Sequence, residues 1–362
     1  MEHYIGLMSG TSLDGVDAVL VGFSAAGPAP QGAIHHAFPA ELRDQALALC
    51  TAGSDEIHRA AMLGNALAEH YAEAVGQLLE ATGMAPAEIA AIGCHGQTLR
   101  HRPEAGYTVQ IGNSALLAER SGITVVSDFR SRDIAAGGQG APLVPAVHEA
   151  LFRQPNRHRV ILNLGGIANL TNLAPGQPVT GFDCGPANML LDAWASRYLG
   201  RAYDQDGRWA ANGTISESLL HTLLTHPFLA EAPPKSCGRE QFGIAWLDGL
   251  LAGPESPADV QAPLVAFTGH SAAEAIQAWC GSPEELYVCG GGARNPLVMA
   301  TLQRELPATA VATTDTLGLP AEQVEAFAFA WLARQCLLRQ PGNLPSVTGA
   351  AGPRVLGAIH PA

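Results

Sequence analysis

Lysine is almost absent from this sequence. Of its 20 basic residues only Lys235 is a lysine, and all the others are arginines. The P-loop and the strand motif of protein kinases each need a lysine in a defined setting, and the residues before Lys235, LAEAPP, provide neither. The sequence therefore argues against both classes. Any phosphate chemistry here must depend on backbone amides, hydroxyl groups, arginine and magnesium.

Paired cysteines, excess positive charge and long apolar segments are also missing. The seven cysteines are scattered and form no Cys-x-x-Cys pair, which is typical of thiols in a reducing compartment. A net charge of −13 argues against a nucleic-acid partner and against an anionic membrane surface. With no leader and no stretch of membrane-spanning length, we expect a cytoplasmic protein.

Apolar residues, by contrast, make up 47% of the 362 residues, which is enough for well-buried cores. The chain is longer than one hydrophobic core usually supports, so we expect two domains. The predicted domains are 1–128 together with a tail at about 341–362, and 129–340. We expect the tail, rich in glycine and proline, to pack back across the structure.

Strand and helix patterns alternate along the chain, which indicates an α/β fold whose ligand sites lie beyond the strand ends. A helix capped by Ser54 and a last helix starting at Pro320 are among the predicted helices. The predicted strands are His3–Leu7, Val16–Phe23, Ile89–Cys94, Ile123–Ser127, Arg159–Leu164, Ile167–Leu170 and Leu286–Cys289.

Three glycine-rich turns lie at strand ends, with the sequences MSGTSLDG (8–15), NLGGIAN (163–169) and GGGARN (290–295). Glycine lets backbone amides approach an anion, and in the first turn the hydroxyls of Ser9, Thr11 and Ser12 add donors. Each turn alone could equally be a tight hairpin or connection. Three together, two of them repeating a strand–turn–strand theme, indicate a split phosphate site.

Several polar residues near strand ends are candidates for chemistry. Asp183, placed after a strand and before a helix, could be a general base or only a helix cap. Arg130 could bind a substrate carboxylate with two hydrogen bonds or pair with neighbouring aspartates. His95 and Thr98 could line a substrate pocket, although a lone histidine is more often structural. Glu325, on an apolar helix face, needs a buried partner.

Together these motifs resemble the anhydro-N-acetylmuramic acid kinases, bacterial enzymes of cell-wall recycling. The resemblance covers nearly the whole chain. It rests on the segments GLMSGTSLDGVD (6–17), HGQT (95–98), DFR (128–130), NLGGIAN (163–169), FDCGPAN (182–188), GGGARN (290–295) and VTGA (347–350).

The resemblance implies the two-domain actin-like ATPase fold, with ribonuclease H-like sheets, flanking helices and ATP in an interdomain cleft. It also implies a homodimer and the cofactors ATP and Mg²⁺. The chain departs from the superfamily at three positions. Met8 stands where the first turn usually has aspartate, and Cys184 and Ala187 alter the usual DTGPGN sequence.

The implied reaction opens a 1,6-anhydro sugar with a water activated by Asp183, while O6 accepts the γ-phosphoryl group of ATP. The product is N-acetylmuramic acid 6-phosphate. The implied sugar-binding residues are His95, Thr98, Arg130 and Glu325. The implied ATP and phosphate contacts are Gly10, Thr11, Ser12, Leu13, Asp14, Gly15, Val16, Asp17, Asn163, Gly165, Gly166, Gly185, Gly291, Gly292 and Asn295.

Two alternatives remain open from the sequence. A conventional sugar kinase on the same fold would use Asp183 to deprotonate a sugar hydroxyl directly. An actin-like or chaperone-like module would bind ATP without a small substrate. The metal ligands are also undetermined, because Asp14, Asp17 or neither could hold magnesium.

Overall fold

The computed structural model describes residues 1–10, 13–238, 241–251, 253 and 255–362. The chain divides into two compact units: unit 1 is Met1–Val147 with Gln323–Ala362, and unit 2 is His148–Glu322. The sequence placed the boundaries at 128/129 and 340/341. They differ because the last long helix packs on the first sheet, so the chain returns to unit 1 earlier than expected.

Strands and helices alternate along the described chain, as the hydrophobic pattern predicted. The strands are β1 (Glu2–Met8), β2 (Gly15–Ser24), β3 (Gly27–Ala37), β4 (Ile89–Cys94), β5 (Gln97–Arg102), β6 (Tyr107–Ile111), β7 (Val125–Ser127), β8 (Arg159–Leu164), β9 (Ile167–Leu173), β10 (Thr180–Pro186), β11 (Glu285–Cys289), β12 (Ala310–Thr313) and β13 (Ala358–His360). The helices are α1 (Ala40–Leu49), α2 (Glu56–Thr82), α3 (Ser114–Ser121), α4 (Ser131–Ala135), α5 (Val144–Phe152), α6 (Asn188–Leu199), α7 (Glu217–Leu224), α8 (Pro227–Ala230), α9 (Ile244–Leu250), α10 (Pro257–Trp279), α11 (Pro296–Glu305), α12 (Val324–Leu337) and α13 (Pro345–Thr348).

Unit 1 contains a six-stranded mixed sheet in the order β13-β7-β4-β1-β2-β3. Strands β1, β2 and β3 form an antiparallel meander, whereas β4 is parallel to β1 and β7 is parallel to β4. The tail strand β13 pairs antiparallel with β7, which confirms that the C-terminal tail packs back on the structure.

Unit 2 contains a five-stranded sheet in the order β10-β9-β8-β11-β12. Strands β8, β9 and β10 form the antiparallel meander, with β11 parallel to β8 and β12 parallel to β11. Each unit therefore has the ribonuclease H-like order in which the first strand lies between the second and the fourth. The predicted fold class is confirmed, and so is the repeat suggested by the glycine turns.

Helix α12 packs directly on a pair of glycines in the unit 1 sheet. Gly6 of β1 and Gly93 of β4 are register partners. A Cβ on Gly6 would overlap the carbonyl oxygen of Ala326, and a Cβ on Gly93 would overlap that of Phe329. The missing side chains therefore let the helix backbone approach the sheet closely. This packing holds residues 324–337 in unit 1.

A buried carboxylate fastens the segment after β7 to the C-terminal tail. The side chain of Asp133 is fully buried and accepts hydrogen bonds from Asn343 Nδ2 at 2.6 Å, Thr348 Oγ1 at 2.7 Å and the Gly140 amide at 2.8 Å. The sequence had suggested a surface ion pair between an aspartate here and Arg130. Instead, Asp133 satisfies its oxygens with neutral donors deep in unit 1.

Local predictions were mostly confirmed, with small corrections at helix ends. The N-cap of α2 is Asp55 in a left-handed conformation, so the prediction that Ser54 caps this helix was wrong. A short 3₁₀ turn at Ala321–Gln323 precedes α12, which begins at Val324 rather than at Pro320. Among the described residues, no helix is both long enough and apolar enough to cross a bilayer.

Candidate active site

A row of polar side chains crosses the unit 2 sheet close to the strand ends. Cys289 of β11 pairs with Asn163 of β8. Asn163 pairs in turn with Asn169 of β9, and Asn169 pairs with Asp183 of β10. Directly opposed residues on neighbouring strands lie on the same face of a sheet. The four side chains are therefore arranged along one face, with Asp183 at the β10 end.

Asp183 is the one carboxylic acid in this row. It lies within β10 and not after it, and its Oδ2 accepts a hydrogen bond from the Cys237 amide at 3.1 Å. Burial raises the pKa of Asp183 to about 7, against the opposing effects of that amide and the positive charge of Lys235. The capping alternative is not observed, because the N-cap of α6 is Ala187. A carboxylate with such a pKa suits a general base near neutral pH.

The single lysine lies beside this carboxylate. Lys235 Nζ donates to the carbonyl oxygens of Phe228 at 3.0 Å and Leu229 at 2.9 Å, and it lies 4.7 Å from the centre of the Phe228 ring. The carbonyl of Lys235 accepts a hydrogen bond from the Asp183 amide at 3.1 Å. The backbone of residues 235–237 therefore forms hydrogen bonds with both the amide and the carboxylate of Asp183. The same segment brings the Lys235 cation close to this carboxylate.

The second glycine turn connects β8 to β9 and is packed against the start of α6. The carbonyl oxygens of Gly165 and Gly166 accept hydrogen bonds from the amides of Ala187, Asn188 and Met189 at 3.0–3.1 Å. These first amides of α6 are thus used within the protein. A Cβ on Gly165 would meet no atom closer than 3.8 Å, so that side of the turn is open to a ligand.

The third glycine turn lies next to the second. Gly290 has a φ of +80°, which favours glycine, and a Cβ on Gly292 would lie 2.6 Å from the Leu164 Cβ. Asn188 Nδ2 donates to the Leu164 carbonyl at 2.9 Å, which places this side chain between the two turns. A Cβ on Gly291 would meet nothing closer than 3.7 Å. Gly292 is therefore needed for packing, whereas Gly291 leaves room for a ligand.

Two other predicted nucleotide contacts in unit 2 have structural roles. Gly185 has a φ of +139° and follows a bulge in β10, where the register shifts beside Asp183. Such a bulge changes the direction of the neighbouring side chain. Asn295 caps α11, because its Oδ1 accepts a hydrogen bond from the Leu297 amide at 3.1 Å. Direct contact of either residue with a nucleotide stays a prediction.

The first glycine turn, in unit 1, is built on buried polar contacts. The Ser9 hydroxyl lies 2.8 Å from the Tyr71 hydroxyl and donates to the Gly96 carbonyl at 3.2 Å. Ser9 therefore supports the turn, and the prediction that its hydroxyl adds a phosphate donor finds no support here. Gln97 Nε2 donates to the Gly10 carbonyl at 3.2 Å and fixes the turn from the other side.

The remaining residues of this turn differ in what they can offer a nucleotide. Leu13 has a φ of +58° and is buried, and Val16 is fully buried in β2, so only their backbone can face a ligand. Gly15 is also buried at the start of β2. Thr11 and Ser12, the other predicted hydroxyl donors, lie outside the described residues.

The two acids near the first turn are in different situations. Asp17 Oδ1 lies 2.8 Å from His35 Nδ1 on the adjacent strand. Asp14 is exposed within the turn itself. Mg²⁺ usually keeps several waters and uses one or two carboxylates together with substrate phosphates. The position of Asp14, exposed and within the predicted phosphate-binding turn, fits that requirement.

Arg130 and His95, both predicted to bind sugar, contact each other. The Nε and Nη2 of Arg130 lie 3.3 Å and 3.0 Å from His95 Nε2, and Arg130 Nη1 donates to the Gly140 carbonyl at 2.8 Å. An arginine only donates, so His95 Nε2 must accept and the ring proton is on Nδ1. Burial, followed by the Arg130 charge, lowers the pKa of His95 to about 3 and keeps the ring neutral.

The guanidinium of Arg130 keeps a defined orientation. Burial lowers the pKa of Arg130 to about 10, while the charges of Glu325 and Asp133 oppose that effect. Three of its donors point to His95 and Gly140, and the other two lie on Nη1 and Nη2. Guanidinium N–H groups are common donors to carboxylates. Glu325 therefore does have a buried cation nearby, as its position predicted.

Thr98 is less engaged with this group. Its Oγ1 accepts a hydrogen bond from Gln110 Nε2 at 3.2 Å across the β5–β6 hairpin. Its neighbour Gln97 has a buried Oε1 for which no hydrogen-bond partner occurs within the described part of the chain. Sugar contact by Thr98 stays a prediction.

Sequence reasoning did not assign Lys235, Asn169 or Asn188 to the site. For Lys235 a signal existed, because the one lysine in a chain with 19 arginines marks a position where arginine was not used. Asn169 and Asn188 occurred within recognised segments, but only strand register and helix placement show where their side chains lie.

Two sheets of one topology, with glycine turns at their strand ends, are the arrangement shared by sugar kinases, actin and heat-shock ATPases. The model of the family "Anhydro-N-acetylmuramic acid kinase" matches residues 2–362. A protein of that name from Nitrosospira multiformis is 59% identical over 99% of both chains. Another, from Thiobacillus denitrificans, is 57% identical over 100% of this chain and 98% of its own.

The chain therefore belongs to the anhydro-N-acetylmuramic acid kinase family. The predicted family is confirmed, and with it the prediction of an ATP-dependent kinase. The alternative of an ATP-binding module without a small substrate is thereby disfavoured.

Proposed function

We propose that this protein opens the 1,6-anhydro bridge of 1,6-anhydro-N-acetylmuramic acid with water and transfers the γ-phosphoryl group of ATP to O6. The product is N-acetylmuramic acid 6-phosphate. Asp183 is the base in this proposal. The observation that carries it is a buried carboxylate with a pKa of about 7, in the same sheet as two adjacent glycine turns.

The chemistry explains why a base is needed although O6 has no proton. In a 1,6-anhydro sugar O6 is an ether oxygen, so no base can activate it directly. Asp183 instead takes a proton from water, whose oxygen forms a bond to C1. The C1–O6 bond breaks, its electron pair stays on O6, and O6 bonds to the γ-phosphorus while ADP leaves. O6 needs no separate acid, because it ends as a phosphate ester.

Unit 1 contributes recognition of the acidic sugar in this proposal. Muramic acid carries a lactyl carboxylate, which other hexosamines lack. The guanidinium of Arg130, held in place by His95 and Gly140, suits that group. A neutral His95 is required for this arrangement, because an imidazolium could not accept from the guanidinium.

The glycine turns and one acid would serve the nucleotide. The open sides of Gly165 and Gly291 would allow backbone approach by phosphate or ribose. Asp14 would hold Mg²⁺ through water, and the bound ion neutralises charge on the transferring phosphoryl group. Asp17, paired with His35, is not needed for this role.

The sharpest test is Asp183→Asn, which keeps the side-chain size but removes the base. Phosphate transfer from ATP to the anhydro sugar should fall by about 10³-fold or more, as expected when a general base and the proton transfer it drives are lost. The Kd for ATP should stay within about twofold, since the nucleotide turns are unaffected. Asp206→Asn, at a surface ion pair in the same unit, is the matched control and should keep full activity.

Labelled water separates the proposed reaction from that of a conventional sugar kinase. With the wild-type protein in H₂¹⁸O, one label should enter at C1 of the product for each phosphoryl group transferred. Phosphorylation without label at C1 would rule out the hydrolytic step and leave direct deprotonation of a hydroxyl. A parallel reaction with N-acetylmuramic acid shows whether the protein also phosphorylates a sugar whose O6 is already a free hydroxyl.

The family resemblance suggests three further properties, which we include in the proposal. The protein would act as a homodimer, in the cytoplasm, in peptidoglycan recycling and amino-sugar degradation. Analytical ultracentrifugation at micromolar concentration tests the dimer, and a sedimenting species of about 38 kDa alone would contradict it.

A further inference from the structure

A cluster of two histidines and a glutamate lies in unit 1, and none of the three is assigned above to sugar or nucleotide, although His36 is the register partner of Val16 next to the first glycine turn. His36 is on β3, and His70 and Glu73 are one helical turn apart on α2. His36 Nε2 lies 3.3 Å from Glu73 Oε2, and His70 Nδ1 lies 3.9 Å from the same oxygen. All three ligand atoms lie within 4.8 Å of one another.

The spacing is close to that of a metal site. Zinc bonds of about 2.0–2.2 Å place tetrahedral ligand atoms about 3.3–3.5 Å apart. The distance from His36 to Glu73, 3.3 Å, lies in this range, whereas the distance from His70 to Glu73, 3.9 Å, exceeds it, and the three ligand atoms are up to 4.8 Å apart. Rotations of the His70 ring and of the Glu73 side chain would bring all three atoms to one ion. His70 is largely buried and His36 partly so, whereas Glu73 is exposed and leaves an entry path for the ion.

The donor set also selects the kind of ion. Two imidazole nitrogens and one carboxylate suit borderline metals such as Zn²⁺, Co²⁺ and Ni²⁺. Mg²⁺ prefers an all-oxygen environment, so this cluster is distinct from any magnesium bound with ATP. A histidine stack without metal is the competing account, because the two rings lie 4.0 Å apart with a tilt of 32°.

We propose that His36, His70 and Glu73 bind one divalent transition-metal ion, which ties the edge strand β3 to helix α2. β3 is the last strand of the six-stranded sheet and pairs on one side only. A metal bridge from its end to the helix that covers it would oppose fraying of this edge. The site goes beyond the kinase reaction and does not depend on it.

The test uses the full-length protein, freed of metal by a chelator and titrated with Zn²⁺ by calorimetry. We expect one saturable site and a rise in Tm with Zn²⁺ concentration, because ligands that bind the folded state stabilise it. Glu73→Gln, at an exposed position that should not disturb folding, should weaken Zn²⁺ binding at least about tenfold. His36→Gln should do the same.

His35→Gln is the matched control. His35 neighbours His36 on β3 but points to the opposite face, where it contacts Asp17. This variant should keep the Zn²⁺ affinity. Unchanged affinity in Glu73→Gln and His36→Gln, or no saturable site in the wild type, would overturn the proposal and leave a histidine stack only.

Thiols are the main source of false binding, since Cys50 is exposed. Co²⁺ distinguishes the ligands: nitrogen and oxygen ligands give weak visible bands, while a thiolate adds strong near-ultraviolet charge transfer. We expect the visible bands without charge transfer, unchanged in Cys50→Ser. A Co²⁺ spectrum dominated by thiolate and lost in Cys50→Ser would count against the proposal.

Discussion

The pKa of Asp183 is determined by burial and by two neighbours that oppose the effect of burial. Burial disfavours the charged form, whereas the Cys237 amide and the Lys235 cation favour it. The balance leaves a pKa of about 7, near the value that makes a general base most effective. The same acid in water would be a far weaker base.

The pH profile of kcat/KM should therefore show an acidic limb at about 7, with activity rising as Asp183 loses its proton. Lys235→Met removes the cation that favours the charged carboxylate, so this limb should move to higher pH. Lys235→Arg keeps the positive charge and is the control, with the limb near its wild-type position. A limb that stays fixed in Lys235→Met would show that the lysine does not act on the base.

His95 should act through Arg130 and not by touching the sugar. His95→Leu keeps similar volume but removes the acceptor for the guanidinium, so Arg130 loses its orientation. We expect the KM for the anhydro sugar to rise about tenfold, or about 1.4 kcal/mol, with little change in kcat.

His95→Gln can place an acceptor near the former Nε2 and should recover most of the affinity. Steady-state kinetics with both substrates varied would check this, and the KM for ATP should remain constant. Equal KM values for the sugar in wild type and His95→Leu would remove His95 from this role.

At the scale of elements, the packing of α12 in unit 1 depends on two glycines in the sheet beneath it. Gly6 and Gly93 sit opposite each other in β1 and β4, and α12 occupies the space that Cβ atoms would need. Glycine in a strand interior ordinarily weakens it. Here the close approach of a helix backbone explains the residue choice.

Gly93→Ala should consequently lower the free energy of unfolding by about 3 kcal/mol or more, since backbone cannot move aside as a flexible side chain can. Gly76→Ala is the control: Gly76 is exposed on α2 and a Cβ there meets nothing within 4 Å. That change should be neutral or stabilise by up to about 1 kcal/mol. Urea unfolding of both variants measures the difference, and equal stabilities would contradict the close packing of α12.

For the whole molecule, three buried groups with large pKa shifts contribute to a dependence of stability on pH. Burial lowers the pKa of His95 and of His148 to about 3 from 6.5, and it raises the pKa of Asp183 to about 7 from 3.8. Between about pH 4 and 6.5 the unfolded chain binds two more protons on the histidines. The folded chain binds one more on Asp183.

On these three groups the unfolded chain thus binds one net extra proton, so their contribution lowers stability by about 1.4 kcal/mol per pH unit of acidification through this window. His70, His101 and His226, whose pKa values are also lowered by burial, act in the same direction. Asp183→Asn removes the opposing proton and should steepen the slope by about 1.4 kcal/mol per pH unit. Denaturant unfolding at several pH values between about 4.5 and 6.5 measures it. A slope that is the same in Asp183→Asn and wild type would mean that Asp183 is not buried as described.

Much of the fold was readable from the sequence because burial imposes patterns. Apolar runs such as Arg159–Leu164 and Leu286–Cys289 marked parallel strands, and glycines marked the turns that follow them. The helix starts at Ser54 and Pro320 were misplaced, since caps depend on local backbone angles that sequence only weakly specifies. The boundary near residue 322 was missed because it depends on which sheet α12 covers.

The near absence of lysine is a property of the sequence alone, and it argues against the P-loop and protein-kinase classes without reference to the fold. The order of motifs likewise determined the family. Only the tertiary structure decided that Lys235 lies beside Asp183, that His95 orients Arg130, and that Ser9 forms a hydrogen bond with Tyr71. These pairings join residues far apart in the chain, and strand register and helix packing, which depend on the whole core, bring them together.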